Sequence, residues 1–258
     1  TTMSGTSSVP TLTPHQVLFI HLIIWQQAVF AYPIPKIKNI VSIQGQMRSD
    51  FPIWLFTPDF QSARSCADPT RFDQDRIYRA LVMSNWCDTF CVTMEPMVKR
   101  AVRDLFRNYG PVQSIRFIPK PHLLLVRSAR DVHRDVGHSC LQITDGNGEK
   151  FVFDGTTDQF GLDWKTHWLM PRREIEENHM KVEHGFSMLV RWKEDEAGVL
   201  LGDPTFMHGY WIVARGRMEE LFQEMEWSSF CGLSEADIEI RVRALGQSKF
   251  KGAYEEAE

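Results

Sequence analysis

The chain predicts an α+β fold, with a block of helices first, strands next and helices again at the end. Three observations carry that expectation. Residues 14–31, PHQVLFIHLIIWQQAVFA, are an apolar run of helix length. After Gly110-Pro111 the spacing of apolar residues changes from helical to alternating. Gly137 to Gly161 reads GHSCLQITDGNGEKFVFDGTTDQFG, with two alternating apolar runs around Asp-Gly and Asn-Gly. That pattern predicts a tight hairpin, because glycine supplies the positive φ that such turns need.

Composition bounds the function. A chain of 258 residues with 43% hydrophobic and 24% charged residues is long enough for a sizeable core. Its net charge of -4 argues against nucleic acid as a partner, since phosphate recognition wants a basic excess. The five cysteines, Cys66, Cys87, Cys91, Cys140 and Cys231, include no Cys-x-x-Cys pair and leave at least one free thiol. This fits a reducing, cytoplasmic setting. Neither a zinc ribbon nor any other cofactor is implied. Two histidine pairs, His133 with His138 and His179 with His184, are each five apart, which is not the i, i+4 spacing of a helical metal site.

The elements follow in order. Residues 1–12 are rich in Thr, Ser, Gly and Pro and are expected to be disordered. Val17 to Ala31 is apolar apart from His21, Gln26 and Gln27, and is short of the about 20 residues of a membrane span. Two readings stay open for it. One is a buried helix capped by Thr13 with Pro14 in its first turn. The other is a secretion signal ending at Val29-Phe30-Ala31, although no Lys or Arg precedes the run. Ile40 to Ile43 reads as a short strand and Phe51 to Pro69 as a loop. Asp68 and Pro69 open a helix expected to reach Met83. A second helix runs to Tyr109, beginning near Thr93 or kinked at Pro96, with Cys87, Cys91, Met94, Val98, Ala101, Val102 and Leu105 on its inner face.

Val112 to Ile118 and His122 to Ala129 read as strands, followed by the hairpin. Trp164 to Val182 reads as a loop and short helix, and Ser187 to Lys193 and Tyr210 to Ala214 as further strands. Arg217 to Met225 and Ser234 to Leu245 are closing helices, the last capped by Ser234, and the acidic tail of residues 254–258 is expected to fray. Residues 13–253 are thus expected to form a single domain.

The chemistry centres on the hairpin. His138 opens its first strand and Asp154 closes its second, so an antiparallel pairing brings them to one edge of the sheet. A carboxylate there fixes the imidazole tautomer, and the imidazole takes a proton. Cys87 or Cys91, near a helix start, supplies the nucleophile, because a helix N-terminus and a neighbouring histidine favour the thiolate. The choice between the two thiols stays open.

In this order of Cys, His and Asp, with His138-Ser-Cys-Leu-Gln-Ile followed by Phe-Val-Phe-Asp154-Gly-Thr156-Thr-Asp-Gln159-Phe160, the chain resembles the papain-like superfamily in its transglutaminase-like branch. The resemblance covers about Ser84 to Gly161. It implies a papain-like fold with the nucleophile-bearing helix packed on an antiparallel sheet and additional helices at both ends. It also implies a cysteine-dependent acyl transfer on a small-molecule or peptide substrate, with His138 as general base and acid and Asp154 as its orienter. Position 155 is Gly where that pattern has Pro. Asn85, Gln44 and Gln46 are candidates for the oxyanion hole, Trp86, Asn85 and Gln159 for substrate contact, and Trp86, Trp164 and Trp168 for a pocket wall. A catalytically silent binding module of the same fold is the alternative. Cys140 is expected to be a core thiol, on the same side of its strand as His138.

Overall fold

A computed structural model describes residues 11–43, 50–106, 108–133, 136–181, 185, 187–188 and 209–257. The disorder expected at residues 1–12 therefore falls almost wholly outside the described residues, as do Gln44, Gln46 and His184.

The core is built around α1 (Pro14–Ala31), in which every residue from Val17 to Phe30 is buried. A helix that is apolar all round belongs in the interior rather than on a surface. Its start is fixed by a capping box in which Thr13 and Gln16 satisfy each other's backbone N–H groups. Helix α1 packs against α4 (Cys87–Leu105) and α8 (Glu235–Phe250). The close approach to α8 needs Gly246, where a Cβ would lie 2.6 Å from Cγ of Gln27. Of the two readings of this segment, the fold takes the core helix. Among the described residues no helix is long and apolar enough to cross a membrane.

The helix expected from Asp68 to Met83 is two helices, α2 (Pro69–Gln74) and α3 (Arg76–Val82). Asp75 breaks it, because its carboxylate accepts from the N–H groups of Ile77 and Tyr78 and caps a new helix. Helix α4 begins at Cys87 rather than near Thr93 and carries Pro96 inside it. Its inner face is as expected except at its end, where Leu105 is 41% exposed.

Two sheets frame these helices. A small one has the order β1-β2-β4, from β1 (Lys36–Ser42), β2 (Ile53–Asp59) and β4 (Leu124–Val126), with β1 and β2 antiparallel and β2 and β4 parallel. Residues 53–59, expected as loop, are thus a strand, and the strand expected over 122–129 shrinks to three residues. The larger sheet is antiparallel throughout, in the order β7-β6-β5-β3-β8. It comprises β3 (Val112–Phe117), β5 (His138–Thr144), β6 (Lys150–Phe153), β7 (Leu169–Pro171) and β8 (Ser187–Met188). The rest of the strand expected up to Lys193 lies outside the described residues.

Short helices α5 (Trp164–His167) and α6 (Arg172–Glu174) flank β7. The strand expected at Tyr210 to Ala214 is instead the first turn of α7 (Tyr210–Glu224). Tyr210, Trp211, Ala214, Met218 and Leu221 are its buried residues, a helical spacing that a five-residue apolar window cannot distinguish from a strand. Ser234 caps α8 through the N–H of Asp237, and the helix runs on to Phe250. The acidic tail is helical as well, as α9 (Ala253–Ala257), which packs on α7.

The hairpin of β5 and β6 has the register Leu141 opposite Phe153 and Ile143 opposite Phe151. Its turn is held by Asp145, whose carboxylate accepts from the N–H groups of Asn147 and Glu149, and by Gly148 at φ +85°. One further step of this register sets Asp154 across from Cys140. That is the face that also carries His138, since side chains alternate along a strand.

Candidate active site

Cys87 is the first residue of α4. It is brought there by a sharp turn in which Asn85 takes a left-handed conformation, φ +64°. Trp86, the cap residue, makes no side-chain capping bond; its indole donates instead to the carbonyl of Val82, 2.9 Å away. The next residue, Asp88, accepts a 2.5 Å hydrogen bond from the hydroxyl of Ser139 at the start of β5. This bond joins neighbours of Cys87 and His138, one position on in each element, and so sets the thiol against the imidazole. The Cys87 thiol is within hydrogen-bonding reach of His138.

His138 and Asp154 are both buried, and His138 Nε2 bonds to Asp154 Oδ2. The other carboxylate oxygen accepts from the N–H and the hydroxyl of Thr156, at 2.8 and 3.0 Å. Both oxygens of Asp154 are therefore committed, and the carboxylate cannot rotate away from the ring. Burial opposes a charge on His138, but the charge and hydrogen bond of Asp154, with a contribution from Cys87, push the imidazole up to about 10.

The remaining ring nitrogen, Nδ1, faces the side-chain amide of Gln159 at 3.0 Å. The same amide donates to Thr156 Oγ1 at 3.2 Å and accepts from the Asn85 N–H at 3.4 Å. Gln159 thus ties the turn before Cys87 to the histidine. As placed, it donates to a lone pair on Nδ1, which a neutral ring has. A charged ring carries a proton on Nδ1, and Gln159 meets it only by turning its oxygen inward and releasing Asn85. Phe160 and Phe117 complete the wall in edge-to-face contact, with ring centroids 4.8 and 5.3 Å from that of the imidazole.

Of the two candidate thiols, Cys87 is the one beside the imidazole and retains some exposure. Cys91 is fully buried one turn on, and burial, together with Cys140, Cys87, Asp154 and Asp88, holds its thiol well above the ordinary range. Cys140 is a core thiol, packed with Ile115, Phe117 and Val152 and likewise pushed up by burial.

Gly155 has a steric reason. A Cβ there would lie 2.5 Å from the Phe90 ring and 2.7 Å from that of Trp25, whose indole donates to the Gly155 carbonyl at 3.2 Å. Proline, which also has a Cβ, does not fit either. Gly155→Ala is expected to cost about 1–3 kcal/mol, the range for overpacking a core, read as a lowered urea midpoint at unchanged m-value.

The site rests on a buried ion pair that sequence reasoning missed. Arg79 Nε donates to Asp158 Oδ1 at 3.0 Å, pinning the 3-10 turn Thr157–Phe160 that carries Gln159. Burial outweighs Arg79 here and pushes the Asp158 carboxyl up to about 7. Arg79→Met leaves that carboxylate unpaired, at a cost of about 3 kcal/mol at pH 8. Because the folded-state value lies above the unfolded one, the folded state binds the proton more readily, and the loss shrinks as pH falls towards 5. Denaturation of the variant and the parent at the two pH values measures this.

Two expected pocket residues are corrected. Trp164 and Trp168 are 2% and 4% exposed and belong to the core, where the Trp168 carbonyl accepts from the N–H of Asp154. Trp86 does line a cleft, together with Asn85. Among the described residues no group of His, Cys, Asp and Glu is placed to hold a metal ion. The residues missed by sequence reasoning include Asp88 and Ser139, whose pairing no local motif announces.

No family model matches the chain, and no curated protein or solved structure does.

Proposed function

We propose that the chain is a cysteine-dependent acyl-transfer enzyme of papain-like arrangement, allied to the transglutaminase-like branch, with Cys87 as nucleophile, His138 as general base and acid, and Asp154 as orienter. The observation that carries this reading is the placement of Cys87, at the first position of a long helix and against an imidazole whose far nitrogen is bonded to a buried carboxylate. The Cys87 sulfur, its proton passed to His138, attacks the acyl carbon and the carbonyl electron pair moves to oxygen. When the pair returns, the bond to the leaving amine or thiolate breaks, and His138 hands over its proton. Water or an amine then attacks the acyl-enzyme, His138 takes its proton, and the Cys87 thiolate leaves. In this reading the Cys87 backbone N–H and the side-chain amide of Asn85 serve the oxyanion.

A second reading, a silent binding module, draws on the near-complete burial of His138 and on the Gln159 amide at Nδ1. Intact-mass spectrometry after incubation with acyl thioesters separates the two. An acyl adduct mapped to Cys87 supports the enzyme. No adduct from any thioester at any of the five thiols sinks it.

A further inference from the structure

A cleft of about 250 Å³ opens beside the start of α4. One wall is the stretch that delivers the nucleophile, Ser84, Asn85 and Trp86. Other walls are apolar and aromatic, with Tyr32, whose ring lies 5.1 Å from that of Trp86, and with Phe56 and Phe60 from the small sheet and its edge. Phe60, on this lining, is 69% exposed.

Two cations line the same cleft, Arg64 and Arg127, and among the described residues no acidic one lines it. Both arginines are exposed, and neither has an acidic partner among the described residues. The guanidinium of Arg127 lies over the ring of Phe56, 5.7 Å from its centre, which holds it at the wall. In a chain of net charge -4, two cations on one apolar cleft, neither with an acidic partner among the described residues, are a local feature and not a reflection of the general surface. Guanidinium groups recognise carboxylate and phosphate oxygens through charge-assisted hydrogen bonds.

We propose that this cleft, lined by the turn that leads into Cys87 and not by Cys87 itself, holds the body of the acyl substrate, and that it selects donors combining an apolar or aromatic body with one anionic group, a carboxylate or a phosphate. The assignment as a substrate site rests on acyl transfer by Cys87; the preference for an anion does not.

The test uses three inert probes of equal chain length: octanoate, octyl phosphate and octanamide. Calorimetry gives their affinities, and iodoacetamide labelling of Cys87 with and without each probe gives protection. The expected result is that one or both anions bind at least tenfold more tightly than octanamide and slow Cys87 labelling at least fivefold. The stronger of the two identifies the anion. The double variant Arg64→Gln/Arg127→Gln is expected to bring all three affinities within about twofold of one another, while Arg64→Lys/Arg127→Lys keeps the preference. Both arginines are exposed, so a changed thermal midpoint is not expected. Equal affinities for the three probes, or a preference that survives the Gln variant, overturn the proposal. An anion preference without protection of Cys87 overturns the substrate assignment. Anion binding with protection, but with no acyl adduct at Cys87 from any thioester, removes the acyl-transfer reading and leaves the anion-selective cleft standing.

Discussion

Cys87→Ala is expected to abolish acyl transfer, lowering kcat/KM by a factor of about 10⁴ or more, while Cys91→Ala keeps it within about threefold. The two thiols lie one helical turn apart, and their surroundings oppose each other. Cys87 retains slight exposure, stands at the first helical position and lies against His138. Cys91 is wholly buried beneath it, among groups that disfavour its ionisation. Truncating Cys91 therefore removes packing, at a cost of about 1 kcal/mol in unfolding free energy, and leaves the chemistry in place. Truncating Cys87 removes the proposed nucleophile and should cost little stability. Steady-state rates on a thioester, read beside urea denaturation of both variants, separate the two roles.

Asp154→Asn carries the second large effect. The carboxylate is what overcomes the penalty that burial places on a charged His138, and what holds the ring by Nε2. With the charge gone, burial is left as the stronger influence. The imidazole is then expected to fall from about 10 to below its ordinary value of 6.5. The amide can also present its NH₂ to Nε2 and force the proton onto Nδ1, the nitrogen that faces the Gln159 amide. Catalysis should fall by about 10²- to 10⁴-fold.

The same shift has a consequence for stability. The folded-state value of His138 lies above the unfolded one, so its contribution is complete below about pH 6.5 and is lost as pH rises through about 10. The parent should lose roughly 2–4 kcal/mol of stability over that window relative to Asp154→Asn. Histidine side-chain NMR titration and denaturation at pH 6.5 and 10 measure the two effects.

The stretch from His138 to Phe160 was largely legible in the sequence because its interactions are local or follow from strand register. Asp-Gly and Asn-Gly announced the turn, and alternation set the faces. An antiparallel pairing could then only bring the start of one strand to the end of the next. Each residue of Asp154-Gly-Thr-Thr-Asp-Gln-Phe except Thr157 has a use that the fold explains. Asp154 holds the ring, Gly155 makes room for Trp25 and Phe90, and Thr156 fixes the carboxylate. Asp158 anchors the turn through Arg79, Gln159 reaches Nδ1, and Phe160 walls the ring.

The choice between Cys87 and Cys91 was not legible, because it turns on where a helix begins. Pro96 leaves two readings, a start near Thr93 or an earlier start with the proline inside the helix. The helix begins two residues after the left-handed Asn85 and is fastened by Asp88 to Ser139, a contact 51 residues apart in sequence. Residues 53–59 and 210–214 were misread for a related reason. Their apolar runs are short, and tertiary partners, β1 and β4 for the one and the buried face of α7 for the other, decided between strand and helix. The two arginines of the cleft come from separate segments that only the fold brings together.

Site-resolved alkylation of all five cysteines by iodoacetamide, in the parent and in His138→Ala, reads the pairing of Cys87 with His138 itself. Labelling of Cys87 is expected to run at least tenfold faster than that of any other cysteine, including the exposed Cys66, and to lose that advantage in His138→Ala while the other four rates stay unchanged. Labelling of Cys87 no faster than that of the other four, or a Cys87 rate indifferent to His138, would mean that Cys87 is not an activated nucleophile.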